Sequence, residues 1–435
     1  MTSPFVCAEL SFGIPLRLPK ALEDSDYHPV DKSQAQLGRL LFYDKILSGN
    51  RNISCATCHH PKFGTSDGLS LGIGEGGEKL GVERSFGSGK FQAKRRVPRN
   101  AASLWNIGAR EFKSLFHDGR ISESKSWESG FDSPAEEFLP HGLSDIVAVQ
   151  VLFPITAEVE MAGNKNENEI PGAARRRFDY AWRILTERVR NIAQYETDFI
   201  ESFDDIKSAK DITITHIANA ISAFERFEFR ADQSPFDRYL RGETSALNAS
   251  QLRGMLLFYG KANCVQCHRG PLLTDHDFHN IALPFLGPGR TRKFEFKARD
   301  MGRINETDKF EDSYKFATPS LRNISLTAPY GHNGAYKSLE GMVRHHLNPV
   351  EAFKQYNIEN AVLPAAKHIG SDQLLWQDSR EKKRLLSTTV SYKIELRDNE
   401  ITDIIEFLHG LTDEASAKGR LGIPDSVPSG LPVDQ

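Results

Sequence analysis

Long apolar segments and an excess of either charge are both absent from this chain of 435 residues. It has no run of about 18 apolar residues, so the sequence offers no membrane-spanning helix. Its 55 Lys and Arg residues nearly balance its 58 Asp and Glu residues, and the two signs are interleaved. This excludes the basic stripe that marks a nucleic-acid or anionic-membrane partner. With 39% hydrophobic and 26% charged residues, the composition is typical of a soluble globular protein with more than one domain.

Cysteine is also scarce, with five residues in the whole chain, which excludes a scaffold built on disulfides. Four of the five fall in two Cys-x-x-Cys pairs, and this distribution favours cofactor attachment over cross-linking. The fifth, Cys7, is compatible with a buried thiol, with the remnant of a lipid-anchor site or with an incidental residue. Residues 1–20 have neither the cationic start nor the apolar segment of a secretion signal. A signal would therefore have been removed from the chain as numbered.

Each cysteine pair is followed directly by histidine. The two motifs are Cys55-Ala-Thr-Cys58-His59 and Cys264-Val-Gln-Cys267-His268. Two cysteines on one turn can reach both vinyl groups of a porphyrin, and the next side chain then reaches the iron. A zinc site would have to join motifs about 200 residues apart and would leave both histidines unused, and a redox dithiol rarely carries histidine at this position twice. The pattern predicts two covalently bound haem c groups, with His59 and His268 as proximal ligands.

An internal repeat precedes the two motifs. Residues 37–45 and 252–261 both contain Leu-Leu-Phe-Tyr followed closely by lysine. Their apolar residues recur at three- and four-residue spacing, which predicts an amphipathic helix in each copy. Further helices are predicted at 177–204, 212–228, 338–347 and 399–411. The predicted fold class is mainly α, with two cytochrome c-like haem domains, few short strands and long loops.

A boundary between the two modules is predicted near residue 232, where Asp-Gln-Ser-Pro-Phe has the composition of a hinge. This gives an N-terminal domain at 1–232 and a C-terminal domain at 233–435. Residues 121–145, rich in Ser, Glu and Pro, are predicted to be an inserted surface loop with Trp127 packed beneath it.

Four further motifs extend beyond the attachment sites. They are Phe116-His-Asp-Gly-Arg120, residues 150–161 (QVLFPITAEVEM), residues 234–240 (SPFDRYL) and residues 319–334 (PSLRNISLTAPYGHNG). Through them nearly the whole chain resembles the bacterial di-haem cytochrome c peroxidase and MauG family. The resemblance implies that the N-terminal haem reacts with peroxide and that Gln150 and Glu160 line its open distal face. A partly desolvated carboxylate can take a proton from one peroxide oxygen and deliver it to the other, so Glu160 is the predicted general acid and base. Glu158 is the local alternative.

The distal ligand of the second haem is also implied by the resemblance. In the family it stands seven residues after the position that Leu339 occupies here, which gives His346. The prediction is a bis-histidine, low-spin haem held by His268 and His346. His345 is the near alternative, and Met342 is a more distant one.

Two departures from the family pattern concern electron flow. Members that need reductive activation block the first haem with a histidine from the loop after the first motif, but no histidine lies between His60 and His117. The N-terminal haem is therefore predicted to be five-coordinate or water-bound and to react without prior reduction, as in the MauG branch. The second departure is that His117 stands where the family has a tryptophan between the haems. Trp105 is the nearby candidate for this relay, and an ordinary core tryptophan is the competing interpretation.

A calcium ion is a further expected cofactor. Asn100, Thr327 and Pro329 match the positions through which the family binds Ca²⁺ between its domains, and oxygen ligands suit this ion. Residues 275–279, rich in Asp and His, look like a metal cluster. Because they follow the second motif, they are predicted to pack at a haem edge.

Three functions are compatible with these features. The first is a periplasmic peroxidase that reduces hydrogen peroxide with electrons that enter through the C-terminal haem from a small cytochrome c or a cupredoxin. The second is a MauG-like oxidase that stores two oxidising equivalents in a bis-Fe(IV)-type state and oxidises a residue of a partner protein. The third is a non-enzymatic electron carrier with two six-coordinate irons. The sequence does not fix the oligomeric state, for which a homodimer stays open.

Overall fold

The computed structural model describes residues 17–290 and 299–435 and is mainly helical. The predicted fold class is confirmed in this respect, and Cys7 lies outside the described residues. The α-helices in chain order are α1 Lys32–Tyr43, α2 Cys55–Cys58, α3 Ile146–Val151, α4 Glu169–Arg176, α5 Phe178–Arg190, α6 Ala193–Ser202, α7 Ile214–Glu228, α8 Pro235–Leu240, α9 Ala249–Tyr259, α10 Ile304–Thr307, α11 Leu339–Leu347, α12 Pro349–Lys354, α13 Ser379–Ser387, α14 Asp398–His409 and α15 Glu414–Ala417. Within this described part of the chain, every helix is too short or too polar to cross a bilayer.

The strands are few and short. They are β1 Ser114–Leu115, β2 Ile121–Glu123 and β3 Phe131–Asp132, which form one antiparallel sheet, and β4 Phe278–His279 with β5 Phe316–Ala317, which form another. The segment predicted as an inserted loop at 121–145 therefore begins as a β-hairpin of β2 and β3. Trp127 lies in the connection between these two strands.

The predicted helices end within two residues of the observed helices, except at 177–204. There α5 stops at Arg190 and α6 starts at Ala193. The side-chain amide of Asn191 donates to Glu187 O at 2.7 Å. The continuous amphipathic pattern gave no sign of this break.

The two copies of the internal repeat occupy equivalent places in two hydrophobic cores. α1 packs against α7 in one core, and α9 packs against α14 in the other. A glycine lies at each crossing. An added Cβ would be 1.8 Å from Ala220 O at Gly38 and 1.8 Å from Asp403 O at Gly254. The glycine in each copy of the repeat therefore lets the helix before the motif pack closely against its neighbouring helix.

Gly254→Ala is expected to lower the free energy of unfolding by about 1–3 kcal/mol, the usual cost of overpacking a filled contact. The added methyl group would push α9 away from the backbone of α14. Denaturant unfolding of the haem-loaded protein, followed by circular dichroism, measures the change. Gly172→Ala in α4 is the matched control, because nothing lies within 4 Å of an added Cβ there. The control is expected to be neutral or to gain up to about 1 kcal/mol, and equal stability of wild type and Gly254→Ala would contradict the close crossing.

Chain segments from the C-terminal end pack on the N-terminal core. Val427 belongs to the core around α1 and α7, and Lys45 forms an ion pair with Asp434 at 2.6 Å. The segment predicted as a hinge is also hydrogen-bonded to the C-terminal part of the chain, since the N–H of Asp232 donates to the carboxylate of Asp413 at 3.0 Å. The domain boundary near residue 232 stays a prediction. Dividing the chain at that residue would not separate the two cores, because Val427 belongs to the N-terminal one.

Candidate functional site

Both Cys-x-x-Cys-His motifs line one cavity of about 1230 Å³. Pockets for one ligand usually measure about 300–1,000 Å³, so this space exceeds the needs of a single small ligand. All four motif cysteines line it, none of them in a disulfide, together with both motif histidines.

Each motif folds into a single helical turn that fixes its histidine. The N–H of His59 donates to Cys55 O at 2.9 Å, and the N–H of His268 donates to Cys264 O at 2.9 Å. The two motifs therefore present their cysteines and their histidine in the same local arrangement, although one is an α-turn and the other a 3₁₀ turn.

The imidazole of each motif histidine is held in the tautomer that a metal ligand needs. Nδ1 of His59 lies 3.0 Å from Thr65 O, and Nδ1 of His268 lies 3.0 Å from Leu273 O. A carbonyl oxygen can only accept a hydrogen bond, so Nδ1 carries the proton in both rings and Nε2 keeps its lone pair. Such a bond is the usual support of a histidine bound to a metal. The cavity, the four cysteine side chains and these two histidines fit two covalently attached haem groups.

Gln150 and Glu160 line the same cavity as His59. Gln150 lies in α3, and the side chain of Asp145 caps the first turn of that helix. Glu160 lies in the π-helical turn at 158–162. Such turns are rare and occur frequently at functional sites.

Glu160 differs from its neighbour Glu158 in its surroundings. Burial raises the pKa of Glu160, and the guanidinium group of Arg120 opposes this shift without cancelling it. Glu158 is instead paired with Arg175 and, at 3.8 Å, with Arg95. Glu160 is among the described residues that line the cavity, and Glu158 is not. The geometry thus favours Glu160 over Glu158 as the group that reaches a ligand.

His268 and His346 lie close together at the second site. Their ring centroids are 6.3 Å apart, and Nδ1 of His346 donates to Met342 O at 2.9 Å, which leaves Nε2 with its lone pair. A metal bound to two opposite imidazole nitrogens at about 2 Å each places the ring centroids roughly 6 Å apart. The spacing therefore fits one iron between these two rings.

His345 uses both of its ring nitrogens elsewhere. Its Nε2 donates to Ile281 O at 2.6 Å, and its Nδ1 accepts from the hydroxyl of Tyr336 at 2.9 Å. Met342 lines the cavity as well. The contacts favour His346 over His345, and the ligand itself stays a prediction.

His117 and Trp105 both line the cavity but have different neighbours. Nε2 of His117 donates to Asn100 O at 3.1 Å, and burial lowers the pKa of His117 to about 4, so its ring is neutral. Trp105 is buried and packs edge-on against Phe229, with ring centroids 5.8 Å apart. This contact is that of a core tryptophan, while its position on the cavity keeps the relay interpretation open.

The predicted calcium ligands lie in the same region, since Asn100, Thr327 and Pro329 all line the cavity. The side-chain nitrogen of Asn100 donates to Leu69 O at 2.8 Å, which leaves the side-chain oxygen as the atom to contact a cation. The calcium ion stays a prediction.

Residues 275–279 bring two side chains close to the second motif. Nε2 of His279 lies 2.8 Å from a carboxylate oxygen of Asp275, and both groups lie within 4.8 Å of the Cys267 sulfur. A haem attached at Cys267 would use that sulfur for its thioether bond. A position of Asp275 and His279 at the haem edge is therefore a simpler interpretation than a separate metal site.

A buried ion-pair cluster beside these residues was not apparent from the sequence. Asp118 is fully buried and pairs with Arg99 at 2.7 Å, Arg120 at 3.2 Å and Arg290 at 2.8 Å, and Arg99 also pairs with Asp300 at 2.7 Å. Burial by itself raises the pKa of Asp118, but these guanidinium groups outweigh burial and hold that pKa well below its usual range. Only Asp118 and Arg120 gave a signal, as neighbours in one motif, because the other members come from distant segments.

A mainly helical fold with two attachment motifs on one cavity defines the class of di-haem c-type cytochromes. The family model for di-haem cytochrome c peroxidase matches residues 32–245. The chain is 28% identical over 333 residues to the methylamine utilization protein MauG of Methylorubrum extorquens, covering 76% of this chain and 73% of that protein. It is 29% identical over 315 residues to cytochrome c551 peroxidase of Nitrosomonas europaea, covering 72% of this chain and 73% of the peroxidase.

Solved structures share the architecture. A MauG-like protein associated with microbial copper homeostasis superimposes with a TM-score of 0.59 at 27% identity, over 94% of this chain and 97% of that one. The diheme peroxidase BthA from Burkholderia thailandensis, at 20% identity, shares the fold with a TM-score of 0.58, over 100% and 98% of the two chains. Residues 32–245 belong to the di-haem cytochrome c peroxidase family, and the chain as a whole is similar to MauG and to cytochrome c peroxidases; it is an oxidoreductase with haem c cofactors.

Proposed function

We propose that the protein is a peroxidase that reduces hydrogen peroxide at the His59 site, with electrons entering at the His268 site. The observation that supports this best is Glu160, a carboxyl group of raised pKa that lines the cavity together with Gln150 and the first motif. A protein that only carries electrons has no use for a proton-transfer group at one of its haem sites. Carboxyl groups in a cavity whose pKa is shifted by their surroundings are candidates for acid and base catalysis.

The chemistry assigns a separate task to each side chain. Reduction of one peroxide molecule consumes two electrons and two protons and yields two water molecules. A haem held by Cys55, Cys58 and His59 would supply the iron that binds one peroxide oxygen and the route by which the electrons arrive. Glu160 takes the proton from that oxygen and returns it to the other, which leaves as water. Gln150 can both donate and accept hydrogen bonds, so it orients the peroxide beside the carboxylate.

The rate of the peroxide reaction is expected to fall as the pH decreases through the pKa of Glu160. The carboxyl group must be ionised to accept a proton, and burial raises its pKa above 4.5. The ionised form of Glu160 therefore predominates above that raised pKa and is lost below it, so the acid limb is expected at a higher pH than for an ordinary glutamate. Stopped-flow absorption across the acid range measures the limb. An identical limb in Glu160→Gln would assign the titration to another group.

A MauG-like oxidase is the second candidate, and it is favoured by the lack of a histidine between His60 and His117. Steady-state turnover with a reduced small cytochrome c separates the two enzymes. Rapid turnover supports the peroxidase. A long-lived oxidised state with poor turnover supports the oxidase, and no reaction with peroxide at all supports the electron carrier.

The proposed location is the periplasm, and the proposed electron donor is a small cytochrome c or a cupredoxin. Both proposals rest on the resemblance to family members rather than on a contact in the structure. Haem staining of periplasmic and cytoplasmic fractions tests the location. Turnover assays with a cytochrome c and with a cupredoxin test the donor.

A further inference from the structure

Four residues that line the cavity form a chain of contacts, and we call them the inter-site bridge: His117, Asn100, His332 and Phe316. Nε2 of His117 donates to Asn100 O at 3.1 Å, and the N–H of Asn100 donates to His332 O at 2.9 Å. The ring of His332 lies flat on the ring of Phe316, with centroids 3.5 Å apart and planes 6° apart. The N–H of Ala317 donates back to His117 O at 2.8 Å, so the contacts close into a ring.

One end of the inter-site bridge reaches the second motif. Phe316 lies in β5 and pairs in register with His279 of β4. The imidazole of His279 lies within 4.8 Å of the Cys267 sulfur. Phe316, His279 and Cys267 all line the cavity.

The other end reaches the pocket of Glu160. His117 belongs to the same loop as Phe116 and Arg120, and the guanidinium group of Arg120 lies 3.4 Å from the centroid of the Phe116 ring. The charge of Arg120 acts on Glu160. These residues line the cavity with His59, so the bridge joins the surroundings of one attachment motif to those of the other.

The bridge is held in one arrangement by buried charge. Arg99 lies over the ring of Phe316 at 5.3 Å and pairs with Asp118 and with Asp300, each at 2.7 Å. Trp105, in contrast, has its ring contact with Phe229 in the N-terminal core. Among the described residues, the flat stack of Phe316 and His332 is the closest pair of aromatic rings on the cavity.

We infer that electrons move between the two haem sites along the inter-site bridge rather than through Trp105. This inference rests on the proposed function. Each electron leaves the reduced haem at the His268 site and reaches the haem at the His59 site after peroxide has oxidised that haem. Two such transfers balance one peroxide molecule, and a reduced electron-transfer protein supplies both electrons. No bond forms or breaks in the bridge, and its residues are not themselves oxidised.

Single-turnover kinetics test the inference. The haem-loaded protein, with its second haem reduced by ascorbate, is mixed with one equivalent of hydrogen peroxide, and stopped-flow absorption follows both haems. Phe316→Leu and His332→Leu are expected to slow oxidation of the second haem by an order of magnitude or more, because a gap replaces the stacked rings. The midpoint potentials of both haems are expected to stay at their wild-type values, so that the slower transfer reflects the path and not the driving force.

Phe86→Leu is the matched control, because Phe86 packs edge-on against His368 at 5.5 Å and neither is among the described residues that line the cavity. An unchanged second-haem rate in Phe316→Leu would overturn the inference, as would a slowdown confined to Trp105→Leu or a shift in potential that accounts for the slowdown. A wild-type protein that does not react with peroxide would instead refute the proposed function. Each variant removes one ring of the stack, so Phe316→Leu alone tests the inference if His332→Leu does not fold.

Discussion

Glutamine in place of Glu160 is expected to slow the reaction of the fully oxidised protein with peroxide by roughly 10²–10⁴-fold, the usual contribution of a positioned acid and base. Glutamine keeps the size of the side chain but cannot accept a proton. The neighbouring Arg120 and Gln150 remain in place, so the substitution removes proton transfer more than peroxide access. Stopped-flow absorption with stoichiometric peroxide, at a pH above the pKa of Glu160, measures the rate constant.

Glu158→Gln is the matched control, since it makes the same chemical change two residues away in the same π-helical turn. Glu158 is paired with Arg175 and Arg95, and exposed ion pairs of this kind contribute about 0–1 kcal/mol to stability. The control is expected to react at close to the wild-type rate. An equal loss in both variants would indicate a disturbed turn, and an unaltered rate in Glu160→Gln would remove Glu160 from the mechanism.

Alanine in place of His346 is expected to convert the second haem from low spin to high spin. The spacing of 6.3 Å between the rings of His268 and His346 fits two axial ligands on one iron, and alanine leaves only one. The absorption spectrum and the electron paramagnetic resonance spectrum of the oxidised protein both report this change. The first haem, at the His59 site, is expected to keep its spectrum.

His345→Ala is the comparison for the ligand assignment. His345 is buried, and its two ring nitrogens bond to Ile281 O and to the hydroxyl of Tyr336. Its loss is expected to lower the free energy of unfolding by about 1–3 kcal/mol, because a buried partner is left unpaired, and to leave the second haem low-spin. A low-spin second haem in His346→Ala would instead point to Met342 or another side chain as the distal ligand.

The attachment sites and most helices could be predicted because the information is local. A Cys-x-x-Cys-His motif carries its whole chemical requirement within one turn, and helical periodicity is visible within a short window. The break between α5 and α6 was missed because the amphipathic pattern continues across Asn191, where the backbone leaves the helical conformation without Gly or Pro. The β-hairpin at the start of 121–145 was missed because its strands are only two and three residues long.

By itself, the sequence determined that the chain carries two Cys-x-x-Cys-His motifs, ending at His59 and His268, and it predicted a mainly helical fold. Through the family resemblance it also predicted Glu160 as the catalytic carboxylate, with Glu158 as the local alternative. Only the tertiary structure distinguished Glu160 from Glu158, and His346 from His345, by which of each pair lines the cavity. Consecutive residues on a helix point about 100° apart, so His345 and His346 reach different surroundings, and which of them lies near His268 depends on how α11 packs. The stack of Phe316 on His332 joins β5 to the loop before α11, and the pairing of Asp118 with Arg290 joins segments 172 residues apart. No local pattern encodes them, because they exist only once those segments fold against one another.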